Sequence, residues 1–287
     1  MSLPRSNFRF SHRLRVRWVE VDMQKIVFNA HYLMYFDTAM GDYWRALALP
    51  YEAAMEQLGG DMYVKKASVE YHASARYDDQ LEVCLRCARI GTSSLVFEGA
   101  IFCADTLLVT CELIYVFANP ATQVSQPVPD VLRGILEGYE AGAPLIDLQV
   151  GDWQALGAAS SALRTAVFVQ EQGIDPQLVW DAADAGAVHV LACNLLGQPI
   201  AGGRLLQQAP GVGRIGRMAV NRVLRGGRLG TTVLQALVEA AREQGDQLVV
   251  LHAQHSAVGF YSRHGFVPRG EVFMEAGIAH QEMVLAL

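Results

Sequence analysis

Hydrophobic and polar residues follow several rhythms along this chain. Between Arg13 and Trp18 they alternate, Leu14, Val16 and Trp18 against Arg13, Arg15 and Arg17. That is the period of a half-buried strand, with the arginines on a solvated outer face. From about Ala30 the period lengthens. Leu33, Phe36, Met40, Trp44 and Leu47 recur every three or four residues, as on one face of a helix. Asn29 stands where its side-chain oxygen can cap the first turn. Pro50 interrupts the pattern, and Gly59-Gly60 ends what continues beyond it. Four runs rich in Val, Ile, Phe, Tyr and Thr follow: Tyr63–Tyr71, Gln80–Arg89, Ser94–Cys103 and Leu107–Phe117. Turn residues separate them, as in an antiparallel meander. Long strands with one apolar helix predict an α+β domain whose sheet wraps over that helix.

Three prolines fall within Asn119–Pro129, a helical piece spans Val131–Tyr139, and Ala141-Gly142-Ala143-Pro144 reads as a linker. The expected division is therefore residues 1–143 and 144–287. The second part opens with a strand near Leu145–Val150 and a helix from about Trp153 to Val169. Strands are expected at Val188–Cys193, Ile200–Leu206, Ile215–Val220 and Gln247–Leu251. A glycine-rich turn leads into a helix through Arg242, Ala257–Arg263 is helical, and two late strands finish the chain.

Composition narrows the functional classes. With 52% hydrophobic and 18% charged residues among 287, two packed cores are expected and disorder is not. A net charge of −6 argues against a nucleic-acid-coating protein, although it leaves room for a local phosphate pocket. No run reaches the ~18 apolar residues of a membrane helix. The Arg-rich start has no signal-peptide apolar core. No nucleic-acid or membrane partner is expected, and the expected location is cytoplasmic. Cys84 and Cys87 have metal-like spacing, but in an alternating strand they point to opposite faces. No second Cys/His pair stands at ligand spacing. No metal is expected.

Two constellations carry chemistry. Asp22 precedes the first long helix, whose initial N–H groups and dipole favour negative charge. A thioester carbonyl placed there would have its oxyanion stabilised, and the carboxylate could attack it or activate water. The same residue could instead only hydrogen-bond its loop. In the second part, Arg225-Gly226-Gly227-Arg228-Leu229-Gly230 follows a strand and opens a helix, a place for phosphate. A glycine-adapted turn without a ligand has the same pattern.

The segment from Asp22 through Ile26-Val27-Phe28 to Tyr32, with Val69-Glu70-Tyr71, Tyr77-Asp78-Asp79-Gln80-Leu81 and Pro127-Val128-Pro129, resembles the hot-dog acyl-CoA thioesterases of the 4-hydroxybenzoyl-CoA thioesterase type. The resemblance covers roughly residues 10–140. It implies an antiparallel sheet around a long helix, and Asp22 as the catalytic carboxylate. It places the oxyanion and substrate contacts at Phe28, Asn29, His31 and Tyr32, in a homodimer or tetramer built through this domain. Lys25 stands where many relatives have glycine, and Asn29 where some have histidine, a role that His31 could partly take.

Residues 145–287 resemble a GNAT-type N-acetyltransferase, through Arg225…Gly230, the strand Arg217-Met218-Ala219-Val220 and the block Ala257-Val258-Gly259-Phe260-Tyr261-Ser262-Arg263-His264-Gly265-Phe266. Val167–Gln172, Arg214–Val220, Leu251–Gln254 and Glu275–His280 add marks of one bacterial branch. The resemblance implies an α/β domain with a mixed sheet. Met218, Ala219 and Val220 would meet the pantetheine arm, and Arg225, Gly226, Gly227, Arg228, Leu229 and Gly230 the phosphates. Arg228 replaces the family's middle glycine. Tyr261 would protonate the departing thiolate. A base is needed for the acceptor amine, and Glu171, His252, His255, Glu275 and His280 are chemically eligible. Glu171 and His280 lie in family-marked blocks.

Together these imply a bifunctional enzyme using coenzyme A thioesters as substrates. One half would hydrolyse acyl-CoA, and the other would pass an acetyl group from acetyl-CoA to a small-molecule or peptide amine. The alternative is a non-catalytic CoA-sensing or dimerising module in one or both halves.

Overall fold

The computed structural model describes residues 4–287, which divide into two compact units, one ending at Leu145 and one spanning Ile146–Leu287. The first has a five-stranded antiparallel sheet from β1 (Phe10–Arg15), β2 (Asp61–Tyr71), β3 (Gln80–Ile90), β4 (Ser94–Cys103) and β5 (Thr106–Ala118), in the order β1-β3-β4-β5-β2. Only β3, β4 and β5 form a meander. β2 pairs with β5 and leaves its other edge open, so the expected four-strand sequential order is corrected.

Helix α1 (Asn29–Ala46) buries Tyr32, Tyr35, Phe36, Ala39, Met40, Tyr43 and Trp44. Leu33, expected on that face, is exposed, because the two tyrosines displace the buried stripe by one position. Tyr43 packs edge-on against Phe10, Phe97 and Tyr139, joining helix, sheet and the later helix α3 (Asp130–Glu140). Between them α2 (Tyr51–Leu58) begins after Pro50 and ends at Gly59, whose φ of 72° supplies the left-handed stop. The first strand ends at Arg15. Val16 is buried, but Trp18 starts a 3-10 turn and lies 75% exposed, where alternation had placed it inward. Cys84 packs beside Ala100 and Phe102, whereas Cys87 receives its neighbours from Glu140 and Tyr43, on the other face of β3.

The second unit contains β6 (Ile146–Gly151), α4 (Trp153–Arg164), α5 (Pro176–Val179), β7 (Val188–Asn194), β8 (Pro199–Ala209), β9 (Val212–Val220), α6 (Leu229–Glu243), β10 (Leu248–Gln254), α7 (Val258–Ser262), β11 (Val267–Glu275) and β12 (Ile278–Ala286). The expected helix to Val169 is two pieces: α4 passes into a π-helical segment, Thr165–Glu171. The sheet order is β11-β12-β10-β9-β8-β7-β6, all antiparallel except β9 beside β10. That parallel pairing stops at Ile215↔Leu251, although β9 runs on to Val220 and β10 to Gln254. The strand ends splay there. Among the described residues no helix is long and apolar enough to cross a membrane.

Candidate functional sites

In the first unit, chain reversal before α1 builds the site. Val21 bridges Val27, and the Asp22 N–H donates to the Ile26 carbonyl at 2.9 Å. The reversal needs a left-handed residue, and Lys25 supplies it at φ 63°. Glycine would do this without strain, since an L side chain there costs about 1–2 kcal/mol. Lys25 does not line the adjoining cleft. Its departure from the glycine pattern thus concerns the backbone.

That cleft, of about 630 Å³, is lined by Asp22, Gln24, Phe28, Asn29, Tyr32 and the strand end Tyr71–Ser74, among others. Asp22 Oδ1 accepts from the Gln24 N–H at 2.8 Å, so the loop bond and the place in the cleft coexist. Helix α1 starts one residue earlier than the expected cap. Phe28 is the N-cap, Asn29 is the first helical residue, and no side chain caps the end. The Phe28 N–H is committed to the Glu20 carbonyl and the His31 N–H to the Phe28 carbonyl, each at 2.9 Å. Asn29 and Ala30 keep N–H groups without acceptors among the described residues. The donors available to an oxyanion are therefore two of those in the expected 28–31 stretch.

Surrounding bonds fix this end. Glu20 is buried, takes two bonds from the Arg17 side chain and one from the Tyr35 hydroxyl at 2.8 Å. Burial opposes its charge, but these bonds from Arg17 and Tyr35 hold its carboxyl below the usual range. The Tyr32 hydroxyl accepts from the Ala75 N–H at 2.9 Å, and the Tyr71 hydroxyl donates to the Asn29 carbonyl at 3.2 Å. His31 packs against Phe28 and does not line the cleft; its Nδ1 is buried without a partner among the described residues. His72 and Ser74 were missed by sequence reasoning, and Tyr71, quoted there as a mark of the resemblance, was given no site role, since only the β2–β5 pairing carries that strand end to the helix start.

In the second unit, the splay opens a cavity of about 450 Å³. Its walls include Met218 of β9, Gln254 of β10, Tyr261 of α7, and Glu275 and His280 from the last strands. Tyr261 is 8% exposed, and burial pushes its phenol up to about 12, so it stays protonated near neutrality. Ala219 and Val220 pair with Gly202 and Ala201 of β8, while their other edge has no partner in β10.

The phosphate turn leads into α6 with Gly226 at φ 88° and Arg228 at φ 66°. Arg228 is the N-cap of α6, so the family's glycine position is again a left-handed one. No side chain caps this helix, and the N–H groups of Arg228, Leu229 and Gly230 have no acceptor among the described residues. Gly227 is already committed to the Leu224 carbonyl at 3.3 Å. Arg225 makes a two-pronged ion pair with Glu171, at 2.6 and 2.7 Å. Glu171 is thus attached to the phosphate turn and does not line the cavity of Tyr261, unlike His280.

An ionic chain, buried at Arg164, Asp184 and Arg204 and reaching the surface at Asp181, supports the cavity. Asp184 joins Arg164 and Arg204, and Asp181 joins Arg204 and Arg217. Arg217, left-handed at φ 53° beside a bulge in the β8–β9 pairing, also donates to the Leu178 and Val179 carbonyls. It thereby fixes α5 over the sheet. The hydrogen bonds from Arg204, with the charges of Arg204 and Arg217, pull the Asp181 carboxyl down to about 2.

Comparison with known proteins separates along the same division. A thioesterase superfamily model matches residues 24–110, starting just after Asp22, and an acetyltransferase (GNAT) domain model matches residues 159–287. The chain is 30% identical over 121 residues to the acyl-CoA thioester hydrolase YbgC of Escherichia coli O157:H7, spanning 42% of this chain and 90% of that protein. It is 30% identical over 123 residues to the uncharacterized N-acetyltransferase YjcF of Bacillus subtilis, spanning 42% of this chain and 86% of that one. A solved acyl-CoA N-acyltransferase from Pseudomonas aeruginosa is 33% identical, with a TM-score of 0.45, over 49% of this chain and 99% of its own. The chain belongs to the thioesterase superfamily through its first unit and to the GNAT acetyltransferases through its second.

Proposed function

We propose that the chain is a bifunctional acyl-CoA enzyme, a thioester hydrolase in its first unit and an acetyl-CoA-dependent N-acetyltransferase in its second. The observation that carries the reading is the pair of uncapped helix starts. Each offers free N–H groups, one beside a carboxylate and one beside splayed strands and a buried phenol.

In the first unit, the thioester oxygen is placed against the Asn29 and Ala30 N–H groups. These donors are already oriented before charge develops, which makes them effective in the transition state. Asp22 acts on the carbonyl carbon as nucleophile, or as general base through one water. The open edge of β2 and the exposed Trp18, Val19, Met23 and Phe28 near this cleft support self-association into at least a homodimer.

In the second unit, pyrophosphate is received by the N–H groups of Arg228, Leu229 and Gly230, with the guanidiniums of Arg225 and Arg228 adjacent in sequence. The pantetheine arm lies along the unpaired edge of Met218–Val220. Tyr261 donates its proton to sulfur as the C–S bond breaks. A phenol at about 12 gives up its proton reluctantly to a thiolate. The protonated nitrogen of the tetrahedral adduct therefore has to restore that proton as the adduct collapses.

Thiol release from a panel of acyl-CoAs without amine tests the first activity. Release that disappears in folded Asp22→Asn supports it; undiminished release overturns the role of Asp22, and no release by the unsubstituted chain favours a non-catalytic module. For the second, Tyr261→Phe should slow acetyl transfer while acetyl-CoA still raises the melting temperature.

A further inference from the structure

One pairing in the second cavity is incompatible with itself. His252 Nδ1 lies 3.0 Å from a terminal nitrogen of Arg214 and 3.0 Å from Glu275 Oε2. A guanidinium only donates, so the first contact needs a lone pair on Nδ1, while the second needs a proton there. A single ring nitrogen cannot satisfy both. Arg214 is also the cavity cation without an ion pair among the described residues. Arg204 is held by Asp181 and Asp184, and Arg217 by Asp181 and two carbonyls. Glu275 and Glu282 reach Arg214 only through space, and its guanidinium makes its contact with an imidazole instead.

We propose that Arg214 binds the carboxylate of an amino-acid-like acceptor, and that His252, released to donate from Nδ1 to Glu275, takes the ammonium proton on Nε2. This deepens the acetyltransferase reading and rests on it. The acceptor is small, since a cavity of about 450 Å³ falls low in the ~300–1,000 Å³ range of small-molecule sites. The groups around His252 fit a proton acceptor. Glu275 of β11 is at Nδ1, Glu282 of β12 is 3.9 Å from Nε2, and Phe273 packs edge-on. Arg269 holds Glu282 from the far side at 2.6 Å. His280 shares the cavity, but its Nδ1 donates to the Ile278 carbonyl and it has no carboxylate at ion-pair distance among the described residues. An imidazolium at 252 therefore has Glu275 in hydrogen-bond contact, whereas the same carboxylate reaches one at 280 only through space.

The proton count closes. Nε2 takes one proton from the ammonium, and the free amine forms the C–N bond at the thioester carbon. The C–S bond breaks, and sulfur takes the Tyr261 proton. The remaining excess proton on nitrogen returns to the Tyr261 oxygen. His252 then loses its proton to water, so the ammonium form of the acceptor and acetyl-CoA give amide, CoA with its thiol protonated, and one proton.

The test uses the full chain carrying Asp22→Asn, acetyl-CoA, and the common amino acids beside their primary amides, with acetylated product read by mass spectrometry. At least one amino acid should be acetylated with kcat/KM tenfold or more above its amide. Arg214→Gln should raise KM for that amino acid at least tenfold and bring acid and amide within about twofold; Arg214→Lys should restore part of the preference. His252→Gln should lower kcat for both and remove the acidic limb of the pH profile. Equal or better reaction of the amides overturns the proposal, as does a preference unchanged in Arg214→Gln, or transfer to neither series while acetyl-CoA still raises the melting temperature. Absence of an acetyl-CoA-induced rise in the second unit's own melting transition in the Asp22→Asn chain overturns the acetyltransferase reading itself.

Discussion

Proline at position 29 would remove one proposed oxyanion donor while keeping the helix. Asn29 is the first residue of α1, where the missing N–H and fixed φ of proline are tolerated. Phe28 precedes it at φ −59° and ψ 133°, the extended conformation that a residue before proline requires. The Asn29 N–H has no acceptor among the described residues, so Asn29→Pro breaks no bond of the fold. Restricting the unfolded chain should even stabilise the unit, by about 0.4–1 kcal/mol. Losing one of two oxyanion donors should lower kcat for acyl-CoA hydrolysis by ~10²–10³, or about 2.7–4 kcal/mol. The assay is initial-rate thiol release at saturating acyl-CoA, paired with thermal melting. Asn29→Ala keeps the N–H and should retain hydrolysis within a few-fold. A melting temperature that holds in Asn29→Pro together with unchanged kcat would refute the assignment of the helix start as the oxyanion site. Equal losses in both variants would transfer the role to the side chain.

Lys25→Gly relieves a left-handed side chain outside the cleft, at the cost of a more flexible unfolded chain, and should stabilise the first unit by about 0.5–1 kcal/mol in urea melts without altering hydrolysis. Asp184→Ala leaves Arg164, 2% exposed, without a carboxylate and weakens the hold on Arg204. A cost of ~3–5 kcal/mol is expected, a fall of roughly 10 °C or more in the melting temperature of the second unit. The depressed Asp181 carboxyl adds stability that is present above its ordinary 3.8 and lost as pH falls toward about 2. Acid melts of the second unit should therefore steepen across that window, and Asp181→Asn should flatten the slope.

Much of the fold was legible because strands and helices carry their periods locally. Ser94–Cys103 is a strand at the expected residues, and α2 sits between Pro50 and Gly59. Strand order was less legible. Nothing within Asp61–Tyr71 specifies that it pairs with β5, since that choice belongs to the assembled sheet. The site was visible where chemistry sits in one segment, as with Asp22 and the start of α1. Contacts between distant segments were not: Glu171 meets Arg225 across 54 residues, and His252 meets Arg214 across 38. Backbone angle was hidden as well. Lys25 and Arg228 look like changes of charge in the sequence, and the structure shows that both first answer a demand for positive φ.

The cysteines give each half of the molecule its own chemical signature of unfolding. Four belong to the first unit and one, Cys193, to the second. Burial pushes the thiols of all five up, Cys84 to about 11 and Cys87 to about 12. Alkylating reagents attack the thiolate, so the native chain presents little of the reactive form. Opening either unit exposes its sulfur atoms as a group. Stepwise labelling during denaturation would therefore register a mass gain of four adducts or of one, and the order of those increments would reveal which half yields first.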